Sequence, residues 1–350
     1  MCPSFLRRKI VSEIRIVSRG LQFQAKYRRT DHDRTDYTHP ENHIYHKIYP
    51  WKNLDDFIQY LSSNVLYNDG KIIAVHKPFG VGTYFPNAII KRITQIDPER
   101  FGDVRYCLKD ALPGLASALG VPELRVGYTT DRTVSGIALL GVNQRFQKKI
   151  SRKVHVAKLF RAAPMQWLCL TSGIPNLKAP TVTEKVGIQK IVLDPRTSGK
   201  DFEIVYNPTK NFLKKDNVKS VRAQISILEE NRSLKSAFVS INCSKTEYNF
   251  LTCYLASKQC FVLGDLRFSN RVGQVFGVPI SMPPRSFGVP REPLPKSMAK
   301  RLSVDSNRSI PLLLHQKKLC LYNYPVWKKT VVIENPKLPN YFDWTLKQLF

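Results

Sequence analysis

The chain has 350 residues, room for one large domain or two smaller ones with ample core. It contains no run of roughly eighteen apolar residues, so no membrane span is expected. Lys and Arg number 55 against 27 Asp and Glu, a formal charge of +28, which favours a polyanionic partner, RNA or DNA, over an anionic membrane surface.

The first thirty residues carry Arg7, Arg8, Lys9, Arg15, Arg19, Lys26, Arg28 and Arg29 against one acid, Glu13. Phe5, Leu6, Ile10, Val11, Ile14, Ile16 and Val17 lie between them. An Arg-rich, acid-poor, amphipathic segment predicts a mitochondrial transit peptide; the alternative is a basic arm that stays on the protein and binds nucleic acid. His32, His39, His43 and His46 follow with no partnering Cys and no periodicity, and read as solvated linker rather than metal ligands. Transit peptide and linker are therefore assigned to residues 1–45. The seven cysteines, Cys2, Cys107, Cys169, Cys243, Cys253, Cys260 and Cys320, form no C-x-x-C pair and predict reduced thiols, not a disulfide framework or zinc site.

Residues 51–61 have apolar side chains at helical spacing, with Asn53 as a cap. The run V-L-Y-N-D-G-K-I-I-A-V-H-K-P-F-G-V predicts two strands joined by an Asn-Asp-Gly turn and closed by a Pro-Gly turn. A short apolar helix spans 110–120 and stops at a glycine. The polar loop Tyr128–Ser135 holds one carboxylate, Asp131, and leads into Ile137-Ala138-Leu139-Leu140, a buried strand between Gly136 and Gly141. Asp131 taken alone is a turn residue or a helix cap, or a carboxylate held on a rigid support beside a groove. Asn143 to Val154 predicts an amphipathic helix whose basic face, Arg145, Lys148, Lys149, Arg152 and Lys153, is solvated or meets an RNA backbone. Within the Lys-rich stretch 195–235, residues 221–228 alternate as a strand. Asn231-Arg232-Ser233 is then a turn, and 238–241 the strand that pairs back. Residues 266–311 are read as loop-rich, an insertion or an extended RNA-contact loop.

Four stretches, in this order, resemble the RluA-type RNA pseudouridine synthases. Lys77-Pro78-Phe79-Gly80 is similar to the family's K-P-x-G turn. Thr129-Thr130-Asp131-Arg132-Thr133-Val134-Ser135-Gly136 resembles the end of H-R-L-D-x-x-T-S-G, keeping Asp, Ser and Gly. Cys260-Phe261-Val262-Leu263-Gly264-Asp265 resembles H-P-I-x-G-D. Leu314-His315-Gln316-Lys317-Lys318-Leu319 resembles L-H-A-x-x-L. The overall pattern is closest to the mitochondrial mRNA pseudouridine synthase branch.

The resemblance implies an α+β pseudouridine synthase fold: a mixed, largely antiparallel central sheet in two fused halves flanked by helices, with an RNA groove between them. The catalytic domain would cover residues 46–330, and residues 331–350 would pack on it as a C-terminal extension. The implied reaction isomerises uridine to pseudouridine in mitochondrial mRNA or rRNA without a cofactor or metal, with Asp131 as nucleophile or as the base that removes a ribose proton. The implied partners are RNA and RNA-granule or ribosome-assembly proteins. The implied state is a monomer in the mitochondrial matrix. Three supporting positions depart from the family. Its base-flipping Arg is Thr129. Its stacking Tyr, within the K-x-Y-x-A strand that Lys158-Leu159-Phe160-Arg161-Ala162 resembles, is Phe160, which is otherwise a core residue. The Arg that pairs with the Asp falls on Phe250 or Thr252, leaving Arg132 or Lys245 to replace it. Lys77, Lys158 and Lys245 are further candidates for substrate contact. Two functions follow from these departures: a synthase with a rewired site, or a fold retained for binding RNA.

Overall fold

The computed structural model describes residues 43–84, 101, 104–159, 163–194, 199–215, 217–284 and 294–350. The segment expected to be a transit peptide, with His32 and His39, lies outside these residues.

Helix α1 (Leu54–Ser63) begins at the expected cap: Asn53 Oδ1 accepts the Asp56 N–H at 2.8 Å, and Asp56 Oδ2 accepts the Asn53 N–H at 3.4 Å. Strands β1 (Val65–Asn68) and β2 (Ile72–Lys77) form the expected hairpin. Its turn is held by Asp69 Oδ1, which accepts the N–H groups of Lys71 and Ile72. Helix α2 (Leu108–Ala118), strands β3 (Arg125–Thr129) and β4 (Gly136–Gly141) and helix α3 (Gln144–Leu159) follow. The chain continues through β5 (Met165–Ser172), β6 (Thr181–Asp194), β7 (Gly199–Tyr206), β8 (Val218–Asn231) and β9 (Ser236–Cys243). It ends with α4 (Phe250–Ser257), β10 (Phe261–Val262), the hairpin β11 (Val272–Val275) and β12 (Val278–Ser281), α5 (Lys296–Leu302), β13 (Leu314–Tyr322), β14 (Thr330–Glu334) and α6 (Asn340–Leu349).

Two sheets carry the architecture. One has the order β1-β2-β4-β3; the other runs β14-β13-β5-β9-β8-β6-β7, with β10 paired to β5. The strand pairs are antiparallel, and one isolated parallel bridge, Ser135 to His315, joins the halves. Strands β2 and β4 are buried along their whole length because both faces are covered. Ile73, Val75, Ala138 and Leu140 pack under α1 and α2. Ile72, Ala74, Ile137 and Leu139 belong to the larger core shared with α3 and the second sheet. This explains why 137–140 reads as a continuous apolar run.

Three expectations need correction. His43 and Tyr45, placed in a solvated linker, are buried: His43 Nε2 bonds the Leu302 carbonyl at 3.0 Å, and the Tyr45 hydroxyl bonds Thr345 at 2.8 Å. Lys158 and Leu159, expected to begin a strand, are the end of α3, and residues 160–162 lie outside the described set. The stretch 266–311 holds the β11–β12 hairpin and α5 besides loop. Cys107, Cys169, Cys243, Cys253, Cys260 and Cys320 form no disulfide. No described helix is long and apolar enough to cross a membrane.

Gly264 closes the turn after β10 with φ +82°, and a Cβ there would collide with the Pro311 carbonyl. Gly264→Ala adds backbone strain to that overlap, because neither chain segment can shift without breaking the Leu313 N–H to Leu263 O bond at 2.9 Å. The variant should lose roughly 3 kcal/mol of stability, read as a shifted urea midpoint at constant slope.

Candidate active site

The β3–β4 connection is held from four directions. Within the loop, Thr130 Oγ1 donates to the Val134 carbonyl at 3.2 Å, and the Val134 N–H donates to the Asp131 carbonyl at 3.1 Å. The Lys77–Gly80 turn docks on the first side. Gly80 N–H donates to the Arg132 carbonyl at 2.8 Å, and Arg132 Nε donates to the Gly80 carbonyl at 2.7 Å. On the second side β13 closes in: the Gln316 N–H donates to the Ser135 carbonyl at 3.0 Å, and Ser135 Oγ bonds His315 Nδ1 at 2.9 Å. Gly136 makes this approach possible, since a Cβ there would lie 2.5 Å from Gln316 Cβ. Behind the loop, the Tyr341 hydroxyl donates to Ser135 Oγ at 3.2 Å.

This support is buried and polar. Burial holds His315 well below the ordinary histidine range, with His76, Lys317 and Lys77 adding to the effect. Burial also lowers His76 to about 4, although Asn335 Nδ2 lies 2.7 Å from its Nδ1. Both imidazoles are neutral at pH 7.

Asp131 itself is exposed and borders a cleft of about 680 Å³ between the two sheets. The first sheet contributes Tyr128, Thr129, Thr130, Asp131, Thr133 and Val134. The far half contributes Trp167, Phe202, Thr246 to Asn249, Leu251, Thr252, Asp265, Arg267 and Phe268. A space of this size accommodates a nucleotide. Asp265 caps the turn at the back of the cleft, accepting the Arg267 N–H at 2.8 Å and the Phe268 N–H at 3.2 Å. Burial raises its carboxyl to about 6, against those two amides.

Of the residues singled out from sequence, Asp131 and Thr129 line the cleft. Lys77 lies beside the loop with no exposed surface, its Nζ donating to the carbonyls of Pro78 at 3.0 Å and Val81 at 2.9 Å. Burial lowers Lys77 to about 7, and the opposing field of Asp131 pulls it back up. Arg132 is engaged by Gly80 and does not line the cleft; Lys245 does not line it either. No ion pair joins Asp131 to another described residue. Phe160 and the side chain of Lys158 lie outside the described set. Of the two positions onto which the family's pairing Arg falls, Phe250 is fully buried and Thr252 borders the cleft.

Sequence reasoning missed Phe202, Tyr248, Trp167 and Arg267. Two carried a signal: Arg267 falls within 266–311, read as an insertion or an RNA-contact loop, and Tyr248 lies two residues before Phe250, one position onto which the family's pairing Arg falls.

No protein-family model matches the sequence. The chain is 23% identical over 299 residues to the bovine mitochondrial mRNA pseudouridine synthase RPUSD3, an alignment that covers 84% of this chain and 80% of the relative. The human protein of that name gives 23% over 311 residues, 85% and 80%. The solved human RNA pseudouridylate synthase domain containing 4 superposes with a TM-score of 0.58 at 18% identity, covering 85% of this chain and 96% of that one. The chain has the fold of that pseudouridylate synthase domain and is similar in sequence to mitochondrial mRNA pseudouridine synthases. Within that fold, the four sequence stretches that resembled the family meet around one loop. The K-P-F-G turn and the His315 strand clamp the Asp131 segment, and Asp265 lines the cleft.

Proposed function

We propose that the protein isomerises uridine to pseudouridine in mitochondrial RNA, with mRNA as the first substrate to test and the matrix as its site of action. The observation that carries this reading is Asp131: an exposed carboxylate on an immobilised loop, at the mouth of a nucleotide-sized cleft, in a chain similar to mitochondrial mRNA pseudouridine synthases. The target uridine leaves its stack and enters the cleft. The Asp131 carboxylate then adds to the sugar or base, or takes a ribose proton. The N1–C1′ bond breaks, the uracil turns, C5 bonds to C1′, and the proton on C5 is released while N1 gains one. Atoms balance without an external reagent. The partly protonated Lys77 supplies positive field behind the carboxylate, in place of the Arg that pairs with the Asp in the family.

A second reading, a fold kept for binding RNA, is favoured by one observation: Thr252, one of the two positions onto which the family's pairing Arg falls, borders the cleft and carries no charge. Pseudouridine mapping of mitochondrial RNA decides between the two. Cells lacking the protein are complemented with the native chain or with Asp131→Ala at equal abundance. Sites restored by the native chain and absent with the variant support the synthase. Maps that are identical in all three cells, with disturbed RNA levels in the knockout, support binding alone.

Helix α3 supplies the RNA backbone contact in this reading. Lys149 sits over the Tyr324 ring and Lys153 donates to the Asn323 carbonyl at 2.6 Å, so these two are committed to the body. Arg145, Lys148 and Arg152 are exposed on the outer face. The helix packs along β3, Gln147 reaching Val126 and Ser151 reaching Gly127, so its C-terminal end approaches the Asp131 loop. Replacing Arg145, Lys148 and Arg152 with Gln should weaken single-stranded RNA binding and flatten the log–log salt slope by about 2. Filter binding between 50 and 300 mM salt (chosen for the assay, roughly the range over which counterion release is read) measures that slope.

A further inference from the structure

Across the cleft from Asp131, three side chains form a wall that the catalytic reading does not use. The rings of Phe202, on edge strand β7, and Tyr248 stack with centroids 5.1 Å apart and planes 10° from parallel. The Arg267 guanidinium lies 4.9 Å from the Phe202 centroid. All three border the cleft, and both rings are only half-buried. Arg267 lies 3.8 Å from Asp201, whose shorter ion pair at 2.5 Å is with Arg271.

The backbone beneath Tyr248 is unusual. Tyr248 has φ 62° and ψ 32°, and Asn249 has φ 53° and ψ 42°, two consecutive left-handed residues that are not glycine. Such a pair persists only where the surroundings impose it, and it gathers at binding sites. Here the two residues form the sharp connection between β9 and α4. The fully buried Phe250 goes into the core while Tyr248 is turned to the cleft. Its hydroxyl has no hydrogen-bond partner among the described residues, so no polar anchor explains the ring's position. An aromatic face and a cation beside a nucleotide-sized cleft are the components with which proteins hold unpaired bases, because every base has a π-face.

We infer that Tyr248, Phe202 and Arg267 form a stacking wall for an unpaired base of the RNA strand as it enters the cleft. This rests on the reading of the protein as acting on RNA, and names the residues that hold the strand while Asp131 meets its target. The wall discriminates little between bases, and its role is positioning.

The test uses the full chain and an eleven-nucleotide oligouridylate (a probe length of roughly one to two site sizes) with a single central 2-aminopurine, whose fluorescence falls on stacking. The native chain and Tyr248→Phe should bind and quench alike. Tyr248→Ala should bind roughly 10-fold more weakly and lose the quenching, with an unchanged unfolding midpoint. Phe202→Leu keeps an apolar side chain under the tyrosine and should lose part of the quenching, which guards against a folding defect specific to the Tyr248 turn. Native-like affinity and quenching in Tyr248→Ala overturn this inference alone. If the native chain fails to bind the oligonucleotide, both the inference and the RNA reading beneath it fall.

Discussion

Purified Asp131→Asn should lose pseudouridine formation by roughly 10³-fold or more while folding as the native chain does and binding RNA with native affinity. The three parts of that expectation have separate grounds. Asn keeps the shape of the side chain and removes both the negative charge and the nucleophilic oxygen, so either role considered for the carboxylate is abolished. Stability should change by no more than about 0.5 kcal/mol, because the side chain is exposed and makes no ion pair with another described residue. The loop does not depend on it either: Arg132, Thr130, Ser135 and the Ser135 to Gln316 bond hold the backbone. Affinity should persist because the cation-bearing surfaces, α3 and Arg267, are elsewhere. Mass-spectrometric detection of pseudouridine in a transcript modified by the native chain gives the rate. A variant that still forms pseudouridine at the native rate removes Asp131 from the chemistry and leaves it a turn residue.

The parts of this site that were legible in the sequence are those made by local backbone chemistry. Lys77-Pro78-Phe79-Gly80 reads as a turn because Pro and Gly fix it, and the strand after Asp131 reads as buried because both its faces are covered. The spatial relation between them was not legible: the reciprocal Gly80 and Arg132 bonds join residues 52 apart. Arg132, adjacent to the Asp, gives its Nε to the Gly80 carbonyl and makes no ion pair with Asp131 among the described residues. Strands β6 and β7 escaped detection for a different reason. They form the polar end of the larger sheet, so the periodic burial that betrays a strand is diluted by Lys and Glu. Phe202 comes from that end, and the cleft's far wall went unnoticed with it. His43 was misassigned because a histidine bonded to a distant carbonyl, here Leu302, leaves no mark on local composition.

Lys77→Met should destabilise the protein more at pH 9 than at pH 7, by roughly 2 kcal/mol. Lys77 has a folded pKa of about 7, lowered by burial from an ordinary 10.5. Between those two values the unfolded chain holds a proton that the folded chain does not, so native stability rises with pH through this window. Below pH 7 both states are protonated, and the native state carries the full penalty of a buried ammonium. Met has no proton to release and no such slope. It also strands two acceptors, since Nζ donates to the carbonyls of Pro78 and Val81. Leaving them unpaired costs about 1–3 kcal/mol each, offset at low pH by relief of the buried charge. His76 and His315 cannot mimic the effect. Burial keeps both below the ordinary histidine value, so their linkage acts below pH 6.5, where stability falls with falling pH. Urea unfolding of both chains at pH 7, 8 and 9 reads the difference directly. Parallel pH curves for the two would mean that Lys77 is charged throughout, held by Asp131 more strongly than its burial opposes. The same residue would then be a permanent cation behind the carboxylate, and the cleft would need no other.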